Sequence, residues 1–169
     1  MAERRTICGK LHLAALKGNW ETAKKYYKEN ENEISYNSKI TRTNETVLHI
    51  AVTTDKVNFV KHVVRMMSDE DLAMEDDAGN TAFFLAALAG KVECAKVMME
   101  RKPDLAIIRG GNNELPLYMA ALGGYSKMAR CLYSATKSQL EYNDKMNIFV
   151  ALICSNIYGE SHLYISFYL

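Results

Sequence analysis

Proline is scarce in this chain of 169 residues, with two in all, and glycine occurs only nine times. So few breakers leave room for helices joined by short connections, and frequent Ala, Lys, Glu, Leu and Met point the same way. Neither sign of charge dominates: 21 basic side chains face 20 acidic ones, a net of +1. No overall field therefore draws the chain to nucleic acid or anionic lipid, and no nucleic-acid partner is expected. The four cysteines, Cys8, Cys94, Cys131 and Cys154, form no C-x-x-C pair and sit near no histidine cluster at zinc-finger spacing. Reduced thiols are expected. No apolar stretch of a secretory signal follows Met-Ala-Glu-Arg-Arg, so a cytoplasmic location is the expectation. The longest unbroken apolar run, Ala82 to Ala89, is eight residues, and Ile148 to Cys154 near the end is seven. A spanning helix needs roughly 20, so no transmembrane segment is expected in this chain. With 49% apolar residues, one domain over 1–169 can still bury a sizeable core.

What the chain does contain is self-similarity. Leu11-His-Leu-Ala-Ala-Leu-Lys-Gly18, Leu48-His-Ile-Ala-Val-Thr-Thr-Asp55, Phe83-Phe-Leu-Ala-Ala-Leu-Ala-Gly90 and Leu117-Tyr-Met-Ala-Ala-Leu-Gly-Gly124 align without gaps. Their first alanines are 37, 35 and 34 residues apart. That period is close to the roughly 33 residues of the ankyrin repeat, whose signature is Thr-Pro-Leu-His-x-Ala. Thr46-Val-Leu-His-Ile-Ala51 matches it directly, and Thr81 to Ala86 and Leu115 to Ala120 match in part. The expected fold is all-α, an ankyrin-repeat solenoid of helix-turn-helix units over about 7–42, 43–76, 77–110 and 111–143. A degenerate C-terminal helix pair, 144–169, is expected to follow, since Ile148 to Ser155 aligns with Leu117 to Gly124 at a spacing of 31.

Each element of the pattern has a physical role. Leucine and alanine on one face of a short first helix let neighbouring pairs approach closely. The closing glycine supplies a left-handed cap at Gly18, Gly90 and Gly124, with Asp55 standing in its place in the second unit. Second helices then carry apolar faces, from Val57 to Met67, Val92 to Met99 and Met128 to Leu132. Asp77-Ala-Gly-Asn80 and Gly110-Gly-Asn-Asn113 read as hairpin fingers between units. The polar stretch from Lys28 to Thr43 reads as a loop insertion at the first finger.

The third and fourth units, with Ile108-Arg-Gly-Gly111 as their most specific phrase, resemble the ankyrin region of a plant family in which such repeats precede a membrane-embedded PGG domain. The similarity runs on into "IFVALICSNIYGESHL" and covers roughly residues 8 to 165. The resemblance implies a truncated or short form, a setting in plant defence or stress signalling, and a place at the cytosolic face of the plasma membrane. It also implies pairing with a full-length, membrane-anchored relative as a second function to consider.

Residues with chemical potential are better explained by architecture. His12 and His49 share the repeat-histidine position, where an imidazole bonds neighbouring backbone. Cys94 and Cys131 fall at packing positions without a partner base. Met66, Met67, Met98, Met99 and Met128 suit a core. The acidic stretch from Asp69 to Asp77 lacks the spacing of a calcium loop and reads as a solvated loop. The lysines at 17, 24, 25 and 28 read as a charged outer face, with Trp20, Ala23 and Tyr27 packing on the next unit. No catalytic, cofactor-binding or metal-binding set is expected, and the chain is not expected to be an enzyme.

The expected function is protein binding along finger tips and inner helices, with the partner unspecified. The tips should be Arg42, Thr43, Asn44 and Glu45; Asp76, Asp77 and Asn80; and Arg109, Asn112, Asn113 and Glu114. Thr53, Leu88 and Tyr118 should line the inner helices. Arg109 is the best single anchor, for its bidentate fork and flat stacking face, and a bond to the adjacent finger is its alternative. The uncharged, apolar end at Leu163, Tyr164, Phe167, Tyr168 and Leu169 is expected to self-associate or to dock another helix.

Overall fold

The computed structural model describes residues 2–155. Helices come in antiparallel pairs: α1 (Ala2–Lys17) with α2 (Trp20–Glu29), α3 (Val47–Thr53) with α4 (Val57–Met66), α6 (Ala82–Leu88) with α7 (Val92–Arg101), and α8 (Pro116–Leu122) with α9 (Ser126–Thr136). A single turn, α5 (Asp69–Leu72), follows the second pair, and α10 (Tyr142–Cys154) follows the fourth. α10 is the first helix of the expected fifth pair. The remainder of that pair, with Leu163, Tyr164, Phe167, Tyr168 and Leu169, lies outside the described residues.

The repeating segments explain the layering. Leu11, Leu48, Phe83, Leu117 and Ile148 are buried at one position of α1, α3, α6, α8 and α10, and so are Ala14, Ala51, Ala86, Ala120 and Ala151. These inner helices pack directly on one another in sequence, with α4, α7 and α9 behind them. The small residue lets the backbones close up, while each buried leucine contributes about 1.5–3 kcal/mol. Enlarging Ala86 or Ala120, neither of which has any exposed surface, would overpack the contact at a cost of about 1–3 kcal/mol. The result is one core from Ile7 to Leu152.

The turn between paired helices is set by the capping residue. Gly18, Gly90 and Gly124 have φ of 69°, 66° and 74°, and Asp55 adopts the same conformation at 58°. Asp55 is compensated by contacts to the next unit: its carboxylate lies 3.8 Å from Lys91 Nζ and accepts from Cys94 Sγ at 3.7 Å. α3 and α6 start at Thr46 and Thr81, and the Thr81 hydroxyl accepts from Phe84 N at 3.1 Å, satisfying a helix N-terminus.

The first linker is the expected loop, but a packed one: it buries Ile34 and Ile40, and sets Tyr36 against Trp20 and Tyr27. Its apolar residues are too widely spaced to register as a periodic pattern. Two expectations need correction. The acidic stretch is not wholly loop, because Ser68 caps α5 and Asp71 returns the bond to Ser68 N, with Asp69, Glu70 and Asp71 at the positive helix end. Among the methionines, Met67, Met98 and Met128 are buried in the core, but Met66 is half exposed at the end of α4. As expected, Trp20 packs on the second unit, edge-on to Phe59 and stacked on His62.

Candidate protein-binding surface

Each of the three fingers closes on one backbone hydrogen bond, the first finger being one residue longer than the other two. Ile40 N donates to Glu45 O at 2.8 Å, Asp76 N to Asn80 O at 3.0 Å and Gly110 N to Glu114 O at 3.0 Å. A left-handed residue precedes the acceptor in each: Asn44 at φ 59°, Gly79 at 74° and Asn113 at 62°. Asparagine and glycine hold that conformation at least cost. In the second finger Asp76 Oδ1 also accepts from Ala78 N and Asn80 N, both at 2.9 Å.

Neighbouring fingers are tied together. Asp77 N donates to Thr43 O at 3.0 Å, and the Asn44 amide donates to the Asp77 carboxylate. Gly111 N donates to Asn80 Oδ1 at 3.3 Å. The approach here is so close that a Cβ on Gly111 would lie 1.7 Å from the Ala78 carbonyl oxygen, and one on Gly110 would strike the Phe84 ring. This is why the Ile-Arg-Gly-Gly phrase needs both glycines.

Arg109 is committed within the chain. Its Nη2 donates to both carboxylate oxygens of Asp144 on α10 at 2.9 Å, and its Nη1 donates to Asn113 O at 3.0 Å. The guanidinium clamps the third finger to helix α10 of the next unit, a partner other than the adjacent finger expected as its alternative.

His49 shows what the repeat histidine does. Thr46 N donates to its Nδ1 at 3.3 Å, with Thr46 Oγ1 at 2.9 Å, so the ring proton sits on Nε2 and is donated to Asn80 O at 3.2 Å. One buried side chain thus caps its own helix and holds the following finger. Burial pushes its pKa below the ordinary histidine value and keeps it neutral. His12 does not repeat this role. Its counterpart of Thr46 is Gly9, within α1, so there is no threonine cap to bond, and the ring stays half exposed.

Among the thiols, Cys94 is buried, and burial reinforced by the Asp55 carboxylate raises it to about 12, which makes it a poor nucleophile. Cys8 and Cys131 are half-buried and Cys154 is exposed.

The exposed tips are therefore Arg42, Thr43, Asp77, Asn112 and Asn113, while Asn44, Glu45, Asp76, Asn80 and Glu114 are half-buried. Of the inner-helix residues, Thr53 and Leu88 are exposed and Tyr118 half-buried. Thr53 and Leu88 belong to a larger set. Two residues beyond the aligned alanines Ala14, Ala51, Ala86, Ala120 and Ala151 stand Leu16, Thr53, Leu88, Leu122 and Ile153, all exposed. The signal was available in the alignment, where these five share a column.

No helix among the described residues is long and apolar enough to cross a membrane. A search of curated proteins finds no match. The family profile described as ankyrin repeats, three copies, matches residues 11–107 and again 62–146. With four capped helix pairs, a fifth inner helix and linked fingers in the geometry, and a profile spanning most of the sequence, the chain belongs to the ankyrin-repeat family.

Proposed function

We propose that this ankyrin-repeat chain is a protein-interaction module that holds its partner along the finger tips and inner helices. The observation that carries the reading is the linking of each finger to the next through Thr43, Asp77, Asn80 and Gly111. Linked fingers present Arg42, Thr43, Asp77, Asn112 and Asn113 on a preorganised row, which lowers the ordering cost of binding. Capture of partners by the wild-type chain and by an Arg42→Ala, Asn112→Ala variant tests it. Both positions are exposed, so the variant keeps its fold. Loss of a captured partner supports the assignment, and an unchanged set of partners refutes it.

A second reading is pairing with a membrane-anchored ankyrin relative. It draws support from α10, whose Tyr142, Met146, Val150 and Ile153 form an exposed apolar stripe at helical spacing. Co-sedimentation with membranes only when such a relative is present would favour it. A role in plant defence or stress signalling rests on the resemblance alone.

A further inference from the structure

The five residues Leu16, Thr53, Leu88, Leu122 and Ile153 form a ladder along the inner face, one rung per inner helix. Leu16, Leu88, Leu122 and Ile153 are 38%, 41%, 47% and 38% exposed, high for aliphatic side chains on packed helices. None of the four aliphatic rungs is buried in the core, and Thr53 is the one polar rung, its hydroxyl donating to Ile50 O at 3.0 Å in the last turn of α3. Adjacent packed helices lie about 8–10 Å apart, so the rungs repeat at that distance.

The edges of this trough differ in charge. On the finger edge, Glu45, Glu75, Asp76, Asp77 and Glu114 outweigh Lys39 and Arg42, while Arg109 is neutralised by Asp144. On the opposite edge, at the turns between paired helices, stand Lys17, Lys56 and Lys91, the last paired with Asp55. The floor is narrow: α3, α6 and α8 are seven residues each, about 10 Å of helix.

We propose that the trough takes an extended segment of a partner protein, with an apolar residue at every third position and a basic residue on its finger side. This rests on the reading of the chain as a binding module and specifies the ligand of its inner face. A polyproline II strand rises about 3.1 Å per residue with three residues per turn, so one side chain in three recurs every ~9.3 Å on the same side. That matches the rungs. Of the two intervening side chains, one turns to the finger edge, whose acidic row favours a positive charge, and the other turns to the lysine-bearing edge, which does not. A helical ligand returns a side chain to one face about every 5.4 Å, out of step with the rungs, and at about 10–12 Å across it is as wide as the floor itself.

The test is fluorescence anisotropy of the full chain with labelled peptides of equal length. Repeated Leu-Lys-Pro triplets are compared with Leu-Glu-Pro triplets, with Leu-Lys dipeptide repeats, and with a helix-forming peptide carrying leucine every seventh residue. Leu-Lys-Pro is expected to bind tightest by roughly tenfold or more, and a Leu88→Ser, Leu122→Ser variant to lose that preference by a similar factor. Circular dichroism should show the variant folded, because both side chains are exposed. Preference for the acidic, period-two or helical peptide, or full affinity in the folded variant, overturns the proposal. If no peptide binds, yet the Arg42→Ala, Asn112→Ala variant loses a captured partner, the ladder assignment fails while the module stands.

Discussion

Replacing His49 probes how much of the stack depends on one side chain. The imidazole is 1% exposed, caps α3 through Thr46 and donates to Asn80 O at 3.2 Å across the unit boundary. His49→Ala leaves a dry amide, a dry carbonyl and a cavity. At about 1 kcal/mol for each bond, with the cavity added, the loss is about 3–4 kcal/mol. That is a large share of the roughly 5–15 kcal/mol that holds a domain together. His49→Gln separates the contributions, because glutamine at this helical position can still reach back to the Thr46 amide but not to the next finger. It should cost about half as much. Acid adds a further signature. Burial lowers the folded pKa, so the unfolded chain takes up the proton first. The contribution is complete above pH ~6.5, the unfolded value, and is lost as pH falls towards the lower folded one. Urea unfolding followed by circular dichroism and Trp20 fluorescence, at about pH 7.5 and about pH 5.5, measures both effects. The gap between wild type and His49→Gln should narrow in acid. An alanine variant within about 0.5 kcal/mol of wild type, or a gap independent of pH, would refute the reasoning.

Other substitutions test separate joints. Gly111→Ala should destabilise by roughly 1–3 kcal/mol in chemical denaturation, since its Cβ would meet the Ala78 carbonyl. Gly9→Ala, where nothing lies within 4 Å, should instead stabilise α1 by about 0.5–1 kcal/mol. Tyr27 is buried and its hydroxyl has no hydrogen-bond partner among the described residues, so Tyr27→Phe should be neutral or up to about 1 kcal/mol more stable in a thermal melt. Arg109→Ala strands Asp144, only 12% exposed, and should cost about 1–3 kcal/mol. Hydrogen exchange should show the loss mainly in α10, and Arg109→Lys, which lacks the fork, should recover little of it.

Much of this architecture was legible because its determinants are local and repeated. The leucine and alanine columns, the left-handed caps and the stand-in at Asp55 all follow from short segments that align without gaps. Long-range polar partners were not legible in the same way. Nothing near Arg109 in sequence announces Asp144, and identical alignment positions hid the difference between His49 and His12, which depends on the residue three places earlier. The packed first linker was missed because Ile34, Tyr36 and Ile40 carry no helical or strand period. On the surface, Thr53 and Leu88 were named, but Leu16, Leu122 and Ile153 in the same column were not, because exposure is a property of the assembled face.

Among the described residues, polar ties across the unit boundaries are unevenly distributed. The finger side is bonded at successive junctions, through Asp77 to Thr43, Gly111 to Asn80 and Arg109 to Asp144. The turn side has a polar tie only where Asp55 meets Lys91 and Cys94. Mechanically, the stack behaves like a book bound along one spine: bending is resisted at the fingers and accommodated at the turns, so a guest on the inner face can be admitted by a slight fanning of the pages without any finger letting go.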